Sequence, residues 1–107
     1  NQQNIEVKPN PLTLVVAIRR TSREVLLNNE AFGTIDEPER LTERLKAIFA
    51  EREQNNVRRE DSNEIEKTVF IKAPTLVRYG DVVKVIDAVK LAEAQPVGLQ
   101  IDDLSAE

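Results

Sequence analysis

The fold is decided by the stretch from Thr68 to Asp102, TVFIKAPTLVRYGDVVKVIDAVKLAEAQPVGLQID. Apolar residues alternate with other residues at 69–73 and again at 97–101, which is the period of a strand with one well-buried face. Between these runs the i, i+3, i+4, i+7 spacing of one apolar helix face is met by Val82, Val85, Ile86 and Val89. A strand–helix–strand unit of this length most simply forms two parallel strands joined by a right-handed crossover.

The upstream half predicts a strand pair followed by a helix. Residues 12–20, LTLVVAIRR, alternate as a strand, residues 24–28 form the return strand, and residues 28–30 form a second turn in which Asn tolerates the left-handed conformation. A helix is predicted to start near Asp36, with Thr34 or Asp36 as its cap. Its buried stripe would consist of Leu41, Leu45, Ile48 and Phe49. The polar residues 51–64 predict a mobile loop or a frayed helix end.

Together these elements predict an α/β (α+β) fold, a two-layer sandwich in the order β-β-α-β-α-β, with a mixed sheet and two helices on one face. Residues 1–11 would be an N-terminal linker or arm, 12–102 the domain and 103–107 a C-terminal tail. The opposite face of the sheet is semi-apolar, so we expect a subunit or the N-terminal arm to cover it. That face would carry Val15, Ala17, Leu26 and Phe70 beside Lys72 and Gln100.

Composition excludes several functional classes. The 107 residues contain no cysteine and no histidine, which rules out His/Cys zinc sites and a histidine general base. The net charge of −4 argues against nucleic acid as a partner. No apolar run approaches the ~20 residues that a membrane span needs. Because the chain begins at Asn1 and lacks methionine, we expect a fragment or a processed product.

A catalytic constellation is hard to build from these residues. Asp102 and Asp103 are adjacent, so they point apart in an extended chain. The basic cluster Arg19, Arg20 and Arg23 favours a solvated turn over a phosphate or lipid-headgroup contact. Tyr79 is expected to pack its ring on the edge of the core and to send its hydroxyl to water. We therefore predict no catalytic residue, no metal site and no cofactor, and a protein that is not an enzyme.

What remains is a binding surface along the last strand. Only a short acidic tail follows this strand, so nothing downstream in the chain could cover it at a sheet edge. An extended partner segment could then add as a further strand. The predicted partner or dimer contact consists of Val97, Gly98, Leu99, Gln100, Ile101 and Tyr79.

The same stretch resembles a known family. The run V-F-I-K-A-x-x-x-V-x-Y-G-D-V-V-x-V-I-D-A-V-K at 69–90, followed by P-V-G-L at 96–99, is similar to the periplasmic domain of the ExbD/TolR family. The similarity extends more loosely over residues 12–101. A departure lies at Ala73-Pro74-Thr75, where the family often has Ala-Asp-Pro.

The resemblance implies a single-span subunit anchored in the bacterial inner membrane, with this domain on the periplasmic side. It implies a homodimer that contacts an ExbB- or TolQ-like subunit through a transmembrane helix absent from this chain. The motor would use the proton motive force to energise a TonB- or TolA-like protein in transport or envelope maintenance, with peptidoglycan as a further contact. The TonB-linked and Tol-linked branches both stay open. Two alternatives to the motor role remain. One is a stand-alone dimeric adaptor or assembly domain, and the other is a small-molecule-sensing regulatory domain with its ligand between helices and sheet.

Overall fold

The computed structural model describes residues 12–59 and 62–102. They form a mixed five-stranded sheet with two helices packed on one face, so the predicted two-layer fold is confirmed. The structure adds a third strand before the first helix. The elements are β1 (Leu14–Ile18), β2 (Glu24–Leu27), β3 (Glu30–Thr34), α1 (Glu39–Gln54), β4 (Val69–Pro74), α2 (Tyr79–Leu91) and β5 (Val97–Asp102).

The strand order across the sheet is β3-β2-β1-β4-β5. Strands β1, β4 and β5 are parallel, and their register aligns Val16 with Ile71 and Ile71 with Leu99. β2 and β3 run antiparallel to their neighbours as a meander. The two strands of the stretch that decides the fold are therefore parallel neighbours, as their pattern predicts.

The predicted turn at 28–30 exists, and it opens a hairpin that the sequence did not reveal. Asn28 and Asn29 both have positive φ, 49° and 77°, and Leu27 pairs directly with Glu30. Two left-handed residues match the twist of the flanking strands, which is why Asn is favoured there. β3 then continues to Gly33, whose φ of 90° and close approach to the Glu37 carbonyl oxygen exclude a Cβ atom.

One core joins the sheet to both helices. The alternating residues Leu14, Val16 and Ile18 of β1 face it, together with Val69 and Ile71 of β4. The helices contribute the predicted Leu41, Leu45, Phe49, Val82, Val85 and Val89. Ile48 and Ile86, which the helical spacing also assigned to the buried stripes, are only half-buried.

Several element boundaries differ from the sequence expectations. β1 is shorter than the predicted 12–20, and α1 begins at Glu39 rather than near Asp36. Pro38 occupies the cap position, while the Thr34 hydroxyl accepts a hydrogen bond from the Glu37 amide in the preceding turn. α1 also extends through residues 51–54 of the predicted loop. The predicted arm 1–11, the tail 103–107 and residues 60–61 lie outside the described residues.

Candidate functional site

The last strand, β5, lies at one edge of the sheet, and no described strand pairs with its outer side. The Val69 amide donates to the Pro96 carbonyl, which fixes the direction of the backbone groups on β5. Because these groups alternate along a strand, those of Gly98 and Gln100 point to β4, whereas those of Leu99 and Ile101 point outward. The outer side of β5, residues 97–101, is called the β5 edge below.

The side chains of the β5 edge are apolar on its helix side. Leu99 and Ile101 pair with the buried Ile71 and Ala73 of β4, yet 45% and 50% of their surfaces are exposed. Their side chains point to the same side of the sheet as the core residues of β4, but they lie at the margin of the helix layer, which covers them only in part. Exposed aliphatic side chains, beside backbone groups that no described strand pairs, are what an added strand requires.

On the opposite side of the sheet, Gly98 leaves room for an aromatic ring. The ring of Phe70 lies across Gly98, and a Cβ atom built there would come within 2.5 Å of two ring carbons. Phe70 itself is 48% exposed, whereas Leu26 on the same face is buried. The semi-apolar face predicted from the sequence is therefore covered only in part.

Tyr79 does not pack against the edge of the core as its position in the sequence predicts. It is 76% exposed at the start of α2, and Leu76 in the preceding loop is 70% exposed. Because α2 begins after the carboxyl end of β4, and β5 is parallel to β4, Tyr79 lies at the same end of the sheet as Ile101. Leu76 is therefore a further exposed apolar residue at this end of the sheet. No signal in the sequence marks it, because it belongs to no helical or strand periodicity.

The other edge of the sheet is built differently. β3 exposes Glu30 and Ala31, its pairing with β2 contains a register shift, and Gly33 adopts a positive φ. Charge and irregular pairing are features that discourage strand addition. By contrast, β5 pairs with β4 in continuous register from Val97 to Asp102. Of the two edges, β5 is the one suited to a partner strand.

A second arrangement joins the β1–β2 turn to α2. Arg23, with a positive φ of 63°, donates from Nε and Nη2 to the carboxylate of Asp36 at 3.1 and 3.0 Å and from Nη1 to Asp81 at 3.1 Å. Lys84 lies 3.4 Å from Asp36. The predicted solvated turn is therefore wrong for Arg23, which fastens the turn to the loop before α1 and to the first turn of α2.

The hydrogen bonds from Arg23 hold the pKa of both Asp36 and Asp81 below the ordinary aspartate value, and the same carboxylates raise the pKa of Arg23. A carboxyl group with a lowered pKa in the folded state stabilises the fold above its unfolded pKa of about 4, and that contribution is lost as the pH falls. The cluster should therefore make the protein acid-sensitive.

We expect Arg23→Gln to flatten the pH dependence of stability. In urea unfolding measured from about pH 6 to about pH 3, the wild type should lose unfolding free energy more steeply than the variant, because the variant's aspartates titrate closer to their unfolded values. Arg44→Gln, which removes a charge from the exposed surface of α1, should keep the wild-type slope. Equal slopes for wild type and Arg23→Gln would contradict the pKa assignment.

A buried charged group, Glu66, lies under the end of α1. Burial raises its pKa, but hydrogen bonds from the side chain and the amide of Thr68, with the nearby Arg59 and Arg52, outweigh that effect, so its pKa is lowered. The Arg52 guanidinium donates to the carbonyl oxygens of Glu66 and Leu12, both at 2.8 Å. These bonds tie α1 to the start of the sheet, which is a structural role.

No group of three or more Asp or Glu side chains within residues 12–59 and 62–102 is arranged to hold a metal ion. The space between helices and sheet, where the sensing alternative placed its ligand, is filled by the core. A groove of about 470 Å³ lies instead on the outer surface between the two helices, with Thr42, Ala88 and Leu91 among its lining residues. The described residues thus present an exposed edge and surface grooves rather than a chemical centre.

The fold and the β5 edge define the class: a small two-layer α+β domain with one regular sheet edge that no described strand pairs. The family model described as biopolymer transport protein ExbD/TolR matches residues 1–104, and the chain belongs to this family. Its members are inner-membrane proteins with periplasmic domains, are non-enzymatic, and generally work with ExbB or TolQ and with TonB or TolA. A comparison with curated proteins gave no match.

Neither described helix has the length and apolar character needed to cross a bilayer. The family assignment gives the chain a function associated with a biopolymer-transport motor. The resemblance drawn from residues 69–99 is thereby confirmed at the level of the family.

Proposed function

We propose that this chain is the periplasmic domain of an ExbD/TolR-like motor subunit that couples the proton motive force to TonB- or TolA-dependent transport or envelope maintenance. It acts through protein contacts and carries out no catalysis. The domain lies at the periplasmic face of the inner membrane, forms a homodimer, meets an ExbB- or TolQ-like subunit through a membrane anchor, and has peptidoglycan as a further contact. Family membership over residues 1–104 supports this assignment.

The observation that carries the proposal is the β5 edge. The outward backbone groups of Leu99 and Ile101 offer main-chain hydrogen bonds, and the half-exposed side chains of the same two residues offer apolar contacts. Main-chain bonds provide affinity in strand addition, and alternate side chains provide specificity. A second copy of the domain and a TonB- or TolA-like segment could each use this surface.

Cysteine crosslinking in membranes tests the proposal. The chain contains no cysteine, so a single one can be introduced at Gln100, an exposed residue of β5, in the full-length protein. Gln100→Cys should crosslink to a second copy and to the TonB- or TolA-like subunit carrying a matching cysteine. Arg44→Cys, on the exposed surface of α1, should give neither product.

Crosslinking that requires the proton motive force would further tie the contact to the motor. If Gln100→Cys reacts with no motor subunit, or reacts no better than Arg44→Cys, the proposed contact is wrong.

A further inference from the structure

A cationic cleft of about 480 Å³ opens at the carboxyl end of the parallel strands, away from the outer side of β5. It lies between the turn that follows β1 and the loop that follows β4. The connection from β1 returns through the neighbouring β2, whereas that from β4 passes through α2 to β5 on the other side. Connections that diverge from adjacent parallel strands leave a crevice at the strand ends, where ligands bind in open α/β sheets.

Basic side chains dominate the walls of this cleft. Its cations are Arg20, Arg23, Arg78 and Lys84. Even with Arg20 left out and Asp36, which pairs with Arg23, counted beside the lining Asp81, three cations face two carboxylates. The whole chain has a net charge of −4, so this local excess of positive charge runs against the overall balance.

The two carboxylates are already engaged. Arg23 donates to both, at 3.0 Å to Asp36 and 3.1 Å to Asp81, and Lys84 lies 3.4 Å from Asp36. The exposed guanidinium of Arg78 makes no ion pair with another described residue. Arg78 also occupies the N-cap position of α2, at the positive end of the helix dipole, and makes no side-chain capping hydrogen bond there. A planar guanidinium at this position is suited to a bidentate bond with a carboxylate.

The cleft also has an apolar side. Leu76 is 70% exposed and Val77 half-buried in the loop that carries Arg78. A volume near 480 Å³ falls within the range of about 300–1,000 Å³ typical of ligand sites, and it suits a few residues of an extended chain rather than a folded surface. The occupant should therefore combine a carboxylate with a neighbouring apolar group.

We propose that this cleft binds a short, carboxylate-bearing peptide segment, with the carboxylate on Arg78 and an apolar side chain on Leu76. The site is separate from the β5 edge, and the inference does not depend on the motor role. The cationic cleft thus has a ligand-binding role beyond the structural contacts that Arg23 makes there.

Two-dimensional amide NMR of this chain tests the inference with two matched probes, acetyl-Ala-Leu-Asp with a free carboxyl terminus and acetyl-Ala-Leu-Asn-amide. The acidic peptide should cause saturable shifts at residues 20–23 and 76–84, and its Kd should rise severalfold when salt is raised from about 20 to about 200 mM. The neutral peptide should cause no saturable shift there. Saturable binding of the neutral peptide, or no binding of the acidic one, would overturn the proposal.

Variants locate the contact. Arg78→Gln should weaken binding of the acidic peptide about tenfold, as expected for loss of a charged hydrogen bond, while the same change at Arg44 on α1 should alter Kd less than about twofold. The amide spectrum of each variant reports directly whether it is folded. Equal losses in both variants would indicate a general charge effect and contradict the site. Displacement of the peptide by an equal concentration of inorganic phosphate would overturn its assignment to a peptide carboxylate.

Discussion

Val85→Asp should leave the chain unfolded at room temperature. Val85 has no exposed surface and lies in the core cluster between α2 and the sheet. An aspartate there would have no partner among the surrounding apolar side chains, and a buried unpaired charge costs several kcal/mol. That is a large share of the roughly 5–15 kcal/mol by which a domain of this size is stable. Far-ultraviolet circular dichroism and urea unfolding should show no cooperative transition.

The matched control is Leu91→Asp on the same helix. Leu91 is 69% exposed at the end of α2, so the same change there should lower the unfolding free energy by at most about 1 kcal/mol, the cost of a negative charge at the carboxyl end of a helix. Cooperative unfolding of Val85→Asp near the wild-type midpoint would mean that α2 does not pack as described.

Leu99→Pro should separate folding from binding. The Leu99 amide points outward, so proline would remove a donor that β4 does not use. The domain should stay folded, with a melting temperature close to that of the wild type. Self-association and binding of a partner strand at the β5 edge should weaken about tenfold or more, because an outward donor and the local strand geometry are lost. Sedimentation equilibrium of the variant measures the first effect.

Gln100→Pro provides the contrasting case one residue later. Its amide points to β4, so proline there removes a bond inside the sheet and should lower the unfolding free energy by about 1–3 kcal/mol, the cost of leaving a carbonyl of β4 without its donor. If the two proline variants were equally stable, or if Leu99→Pro kept full self-association and partner binding, the assignment of inward and outward amides would be wrong.

The sequence was most informative where one face of an element is buried. The parallel strand–helix–strand unit was predicted from the alternation in β4 and β5 and from the helical spacing of Val82, Val85 and Val89. Each of these patterns marks the residues that contact the core. Half-buried Ile86 shows the limit of this reasoning. Periodicity assigns a residue to a face, but the width of that face depends on how far the neighbouring elements extend.

β3 could not be predicted by the same reasoning. It is an edge strand whose residues are exposed or half-buried, so no alternation marks it, and it includes Gly33 at a positive φ. The Asn28-Asn29 pair was the available signal, since two consecutive left-handed residues are typical of a tight hairpin. The start of α1 was misplaced for a related reason: Thr34 and Asp36 resemble caps, but they stabilise the turn and the ion-pair cluster before the helix.

The contacts of Arg23 join residues that are distant in the chain. Arg23 is 13 residues from Asp36 and 58 from Asp81, so no local pattern could reveal that one guanidinium binds both carboxylates. The position of β5 at the sheet edge also depends on the strand order, which periodicity alone does not determine. Both the cationic cleft and the β5 edge result from this topology.

Hydrogen exchange of the full-length protein in membranes, with and without its motor partners, tests the central claim most directly. The claim is that the domain acts by accepting a strand along β5. Partner binding should slow amide exchange at residues 97–101, where the Leu99 and Ile101 amides point outward, and leave the opposite edge at residues 30–34 unchanged. Unchanged exchange at 97–101, or protection that appears at 30–34 instead, would contradict it.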